Sequence, residues 1–179
     1  MTIDGFVAGP NGENDWVFLP GKQDPAALQF TIDMADSCDT ILSGSSLADG
    51  WVDHWQNIAH NQPDSPWNPF AKLMVSHRKI VFSRTNAEIA GPNVEVESRD
   101  LATVVQELKD QPGKDIIVYG GVKFARSLII LNLIDEYYII VNPIAIGNGQ
   151  TIFSERKIMQ LESSVSYTNG KVLNKYLPV

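Results

Sequence analysis

The 179 residues contain a single cysteine, Cys38. No internal disulfide can form, and a reducing, cytoplasmic setting is expected. Long apolar runs are also missing. No stretch approaches the roughly 18 to 20 residues that a membrane helix needs, and no basic segment leads into a short apolar one as in an export signal. Positive charge is scarce: 14 Lys and Arg against 21 Asp and Glu leave a net charge of −7. That excludes a general nucleic-acid or membrane-surface binder, because both need basic surfaces. An anionic ligand can still be held where backbone N–H groups and a few placed cations face it. His54, His60 and His77 have no metal-ligand spacing among them, so they read as surface residues and no metal is expected.

What is present is ordinary globular usage, 44% hydrophobic and 20% charged. A chain of this length buries roughly 70% of its unfolded surface, enough for one core. No repeat or linker interrupts it, and residues 1–179 read as one domain. The opening Met1-Thr2-Ile3-Asp4-Gly5 reads as a strand end turning into a loop; either the first strand is very short or residues ahead of it are absent. Asp24-Pro25 reads as an N-cap with proline in the first turn, predicting a helix over about 25–37. Thr40 to Gly44 predicts a short buried strand. The polar stretch holding Trp51, Trp55, Pro63, Pro66 and Trp67 predicts irregular chain with a short helix at 69–76. Lys79 to Ser83 and Asn93 to Val96 predict strands. Asp100 heads an amphipathic helix with Leu101, Val104, Val105 and Leu108 on one face. Asp115 to Tyr119 predicts a strand of the kind buried on both faces of a parallel sheet. Gly120-Gly121 follows, then a helix to about Leu131, the strand Tyr137 to Val141, and two strands joined by the hairpin pair Asn169-Gly170. The pattern is an α/β chain of βαβ units with an antiparallel ending.

Three stretches are candidates for chemistry. A strand running through Gly120-Gly121 into a helix suits a phosphate, since helix N-termini present unpaired N–H groups and glycine removes the Cβ that would keep a ligand away. The same pair also serves as a plain tight turn, and Lys123 is either a phosphate partner or a solvated lysine. Ser83-Arg84-Thr85 ends another strand, and strand C-termini are where ligands bind in open α/β sheets. A guanidinium there suits a ribose 2′-phosphate; the alternative is a polar strand end with a surface arginine. The loop Asn142 to Gly149 reads as a binding loop with an apolar wall or as an irregular edge connection.

Five pieces occur in a telling order: Ile3-Asp4-Gly5-Phe6-Val7-Ala8-Gly9 with Asp15-Trp16; Thr40-Ile41-Leu42-Ser43-Gly44; Ser83-Arg84-Thr85; Val118-Tyr119-Gly120-Gly121; and Asp135-Glu136 leading to Pro143 and Gly147-Asn148-Gly149-Gln150-Thr151-Ile152-Phe153. Over nearly the whole chain this resembles the dihydrofolate reductase superfamily, in particular the reductase half of the bacterial riboflavin-biosynthesis deaminase–reductase and its stand-alone relatives. The resemblance implies a mixed, mostly parallel sheet flanked by helices with NADPH across the strand C-termini. Gly120 and Gly121, a pair often joined by a cis peptide in the family, would meet the pyrophosphate together with Tyr119, Val122 and Lys123. Gly44 and Ser45 would touch the cofactor at a neighbouring strand end, and Ser83, Arg84 and Thr85 would take the 2′-phosphate. Asp4 to Trp16 would be a mobile loop over nicotinamide and substrate.

The chain departs from the family pattern in places. Ser45-Ser46-Leu47 stands where a basic residue and a threonine are usual, Tyr119 where riboflavin reductases often have an acid, and Phe6 where they tend to be basic. The deaminase half's Cys/His zinc motif is absent from these residues. For the proton that accompanies hydride transfer, the candidates are Asp24, Asp15 and Asp4. Helix capping alone explains Asp24, an Asx-turn is the alternative for Asp15, and Asp4 in Asp-Gly is more often a turn former than a catalyst. The leading expectation is an NADPH-dependent reductase of a small pterin- or pyrimidine-like heterocycle. The alternatives are a dinucleotide-binding sensor without chemistry, and an assembly protein using the Trp-rich 51–67 segment. A homodimer is expected, because such relatives commonly pair and Tyr137 to Ile146 is more apolar than one covered face requires.

Overall fold

The computed structural model describes residues 1–17, 23–85 and 89–179, with the side chains of 46–49 set aside. These residues form two compact units, Leu28–Phe124 and Met1–Ala27 with Ala125–Val179. The fold is a mixed α/β one, with a parallel sheet in the first unit and an antiparallel sheet in the second. No helix among the described residues is long and apolar enough to cross a membrane.

The parallel sheet contains β1 (Cys38–Gly44), β2 (Arg78–Phe82), β3 (Val94–Glu97) and β4 (Asp115–Val118) in the order β3-β2-β1-β4. The central strands β1 and β2 read as near-continuous buried runs, as strands covered on both faces do. β3, with Val94 and Val96 alternating with Glu95 and Glu97, is an edge. β4 is the other edge and is half-buried, not the fully buried interior strand its apolar composition predicts. One neighbour instead of two accounts for the difference.

Helix α1 spans Pro25–Asp36. The sequence expectation of irregular chain through 51–67 is corrected by α2, Ser45–Asn61. Its Ser, Asp, Gly, Asn and His content has weak helix propensity, and packing overrides it. Trp51 and Trp55, one turn apart, pack with Trp67 on a core of Ala35, Ile41, Phe70 and Met74. The C-terminal carbonyls of α2 are taken by the buried Asn68 side chain, whose Nδ2 donates to Ile58 O (2.9 Å), Gln62 O (3.1 Å) and Ala59 O (3.2 Å). α3 (Asn68–Ser76) leads into β2. α4 (Leu101–Lys109) begins as predicted, with Asp100 accepting from Thr103 N at 2.9 Å.

His77 is buried, not a surface residue, and its Nε2 lies 2.8 Å from Ala35 O. Beside it, Lys79 is only 2% exposed. Its ammonium donates to His77 O (2.8 Å) and Val75 O (2.9 Å) at the end of α3 and to Pro92 O (3.2 Å) just before β3. Burial lowers its pKa to about 8. Between there and the unfolded value of about 10.4, the unfolded chain binds more protons, so stability rises with pH. Denaturant melts from pH 7 to 10 should show wild type gaining about 2 to 3 kcal/mol relative to Lys79→Met across that window; parallel curves would contradict this.

In the second unit β5 (Tyr137–Val141), β6 (Met159–Ser166) and β7 (Val172–Pro178) pair antiparallel in the order β5-β7-β6. The β6–β7 turn uses Gly170 at φ 81°, as the Asn-Gly pair predicts. The opening segment is tied to the loop after β5. Thr2 bridges Asn142 and Ala8 bridges Gln150, while Ile3 N donates to Ile144 O at 2.9 Å.

Candidate functional site

From β1 the chain moves outward through β2 to β3, then returns to place β4 on the other side of β1. The strand order therefore reverses between β1 and β4. Ligands of open α/β sheets sit at such a reversal, outside the C-terminal strand ends. Two helices start there. α2 begins at Ser45 directly after Gly44, with no side-chain cap on its first turn. α5 (Val122–Ile130) begins after Gly120-Gly121, where Phe124 N donates to Gly121 O at 3.0 Å. Neighbouring helix N-termini present N–H groups and positive dipole ends at one place.

The residues singled out from the sequence fall into two groups. Gly44, Ser45, Ser83, Arg84, Thr85, Tyr119, Gly120, Gly121, Val122 and Lys123 all lie at or just beyond the C-terminal ends of β1, β2 and β4. Ser83 is buried; its N–H donates to Glu97 O (2.9 Å) and its Oγ lies 3.2 Å from Thr85 Oγ1. That short turn leaves Arg84 and Thr85 exposed at the strand end. Tyr119 N donates to Leu42 O (3.0 Å), extending the β1–β4 ladder. The Tyr119 ring packs on Phe70 (6.0 Å) and Trp51 (6.1 Å), and burial drives its hydroxyl pKa well up. Its side chain is thus part of the aromatic core. The Gly120–Gly121 peptide is trans. Ser46 and Leu47, two of the departures from the family pattern, lie outside the described side chains.

Asp4, Asp15 and Asp24 belong to the other unit. Asp4 Oδ2 accepts from Gly147 N (2.8 Å) and Ile146 N (3.0 Å). Hydrogen bonding, first from Thr2 and then from the Gly147 amide, holds its carboxyl below the usual range. These bonds tie the start of the loop over 4–16 to the segment after β5. Asp15 is exposed in a 3-10 turn, Asp15–Val17. Asp24 is buried. Its Oδ1 accepts from Ala26 N (2.8 Å) and Ala27 N (3.3 Å), capping α1, while Oδ2 accepts from Thr168 N (2.7 Å) and Thr168 Oγ1 (2.5 Å). These bonds, led by the Thr168 hydroxyl, lower its pKa. A general acid for neutral pH needs the opposite shift.

Sequence inspection missed Phe82 and Phe124, whose rings lie 5.5 Å apart at this end of the sheet. A Cβ on Gly120 would stand 2.6 Å from Phe124 Cδ1, and one on Gly44 would stand 3.1 Å from Phe124 Cβ. The only signal was the spacing, a phenylalanine three residues after Gly121.

The parallel sheet with its strand reversal thus carries at its C-terminal edge the uncapped start of α2, the start of α5, two glycines and an exposed arginine. The chain belongs to the RibD C-terminal domain family, whose model matches residues 1–173. It is 34% identical to the Bacillus subtilis protein YyaP over 175 residues, covering 96% of this chain and 88% of that one. Among solved structures it superposes with a TM-score of 0.66 on the diaminohydroxyphosphoribosylaminopyrimidine deaminase/5-amino-6-(5-phosphoribosylamino)uracil reductase of Thermotoga maritima, at 16% identity. That match covers 99% of this chain and 54% of the Thermotoga one. Enterococcus faecalis dihydrofolate reductase, complexed with NADP(H), matches with a TM-score of 0.59 at 16% identity over 99% of this chain and 92% of that one. The fold is dihydrofolate reductase-like, and the family is a reductase-like one.

Proposed function

We propose that this protein is an NADPH-dependent reductase acting on a small pyrimidine- or pterin-like heterocycle. The observation that carries this reading is the convergence of Gly44-Ser45, Arg84 and Gly121-Val122-Lys123 on the C-terminal ends of β1 and β4, which flank the strand reversal, and of β2 beside β1. The residues fit an extended diphosphate. The first-turn amides of α5 and α2 would hold the pyrophosphate, and Arg84, exposed at the end of β2, would hold the 2′-phosphate. Bound there, a dihydronicotinamide supplies a hydride. The hydrogen bonds of Asp4 to the Ile146 and Gly147 amides and of Asp24 to α1 and Thr168 support anchoring roles for these two carboxylates.

Energy transfer from tryptophan to NADPH on titration should report a saturable complex, since Trp51 stands against Tyr119, the residue before the glycine pair. Oxidation of NADPH with a panel of aminopyrimidines and pterins then tests the reductase itself. Binding without turnover across the panel would favour a dinucleotide-binding sensor, and no binding would refute the proposal.

We further propose a homodimer. Its support is the apolar surface of edge strand β6, where Leu161 and Val165 are exposed with Ile158 just ahead of them. Light scattering should return about twice the chain mass of 19.8 kDa; the single-chain mass would overturn it.

A further inference from the structure

We propose that Phe124 dictates glycine at positions 44 and 120, and that by seating on both it fixes the α5 N-terminus that would face the phosphates. Its second half rests on the proposed function. Register supplies the starting point. Gly44 pairs with Phe82. Leu42 pairs with Val118, and the Tyr119 amide continues that ladder to Leu42 O. Gly120, two residues beyond Val118, therefore comes level with Gly44, two beyond Leu42. Partners in a parallel sheet direct their Cβ atoms to the same face. The row Phe82–Gly44–Gly120 thus carries a side chain at one end and none at the other two positions.

Phe124 fills the gap. Its Cδ1 would overlap a Cβ at 120, at 2.6 Å, and its Cβ would stand in tight contact with one at 44, at 3.1 Å, while Phe82 stands at 5.5 Å and 30° beside it. At 2.6 Å, even alanine at position 120 forces movement. Ring atoms flanked by a second ring have little room to give. Glycine beside a phosphate is usually read as ligand clearance, but here the Cβ side of both glycines is filled by protein. Phe124 lies in the first turn of α5, with its own N–H on Gly121 O. Displacing the ring therefore displaces the amides of that turn. Phe124 is a positioning residue.

The test is a double-mutant cycle on the full chain. Without ligand, Gly120→Ala should lower the melting midpoint by about 5 °C in wild type and by no more than about 1 °C in a Phe124→Ala background. Equal losses in both backgrounds would overturn the seat. If Phe124→Ala does not fold, Phe124→Leu carries the same comparison, with a partly relieved penalty expected. NADPH titration followed by energy transfer tests the second half. Phe124→Ala should weaken binding about 10-fold or more, and Phe124→Leu should return it to within about 3-fold of wild type. Lost stability with unchanged NADPH affinity would overturn positioning. A wild type that binds no NADPH would remove the proposed function and the positioning role with it, while the thermal cycle still decides the seat.

Discussion

Arg84→Ala is expected to weaken NADPH binding about 10- to 150-fold while leaving NADH binding within about two-fold. A hydrogen bond to a charged group contributes about 1.5 to 3 kcal/mol, and every 1.4 kcal/mol is about tenfold in affinity. Ser83 and Thr85 cannot take over. The Ser83 hydroxyl is spent on the turn to Thr85, and neither residue carries charge. In the proposed complex Arg84, exposed at the end of β2, would be the cation that tells a 2′-phosphate from a 2′-hydroxyl. Arg84→Lys should recover only part of the loss, because an ammonium cannot form the guanidinium's two parallel bonds. Titration with both cofactors checks this. Equal losses for NADPH and NADH would mean that Arg84 does not meet the 2′-phosphate, and no loss would place the cofactor elsewhere.

Local chemistry in the sequence was a sound guide wherever it was decisive. Asp24-Pro25, Asp100 and Asn169-Gly170 each announce a boundary through a specific hydrogen bond or backbone angle, and α1, α4 and the β6–β7 turn fall where they say. The order of strand ends also placed the glycine and arginine stretches on one edge of one sheet. Long-range packing was not legible. α2 consists of weak helix formers held by Trp51 and Trp55 against Phe70 and capped from Asn68. His77 read as a surface residue and nothing marked Lys79 as buried, because their partners, the carbonyls of Ala35, Val75 and Pro92, are backbone groups that no motif records. Asp24 read as a cap with a catalytic alternative, and nothing local showed that Thr168, 144 positions away, occupies its second oxygen. Gly120 showed only that a Cβ is unwelcome, not that Phe124 excludes it.

Asp24→Asn is expected to cost stability and spare catalysis. The carboxylate accepts four hydrogen bonds, two from the first turn of α1 and two from Thr168. An amide keeps the α1 cap, because asparagine caps helices about as well as aspartate. It cannot keep both Thr168 bonds with its one oxygen. The midpoint at neutral pH should fall by about 5 °C, and Thr168→Val should produce a similar fall that is not additive with it. The pH dependence gives the signature. The folded-state pKa of Asp24 is depressed, chiefly by the Thr168 hydroxyl. Its stabilisation is therefore complete above the unfolded value of about 3.9 and disappears as pH falls through the folded value. Melting curves of wild type and Asp24→Asn should differ from neutral pH down to about 4 and converge below it. Turnover with any substrate the panel identifies should stay within about three-fold, because a carboxylic acid held ionised does not donate the proton that reduction requires. A fall in kcat of about 100-fold or more, with unchanged melting and a pH–rate profile that no longer falls as pH rises through the carboxyl's pKa, would make Asp24 the proton donor and return the capping bonds to a secondary role.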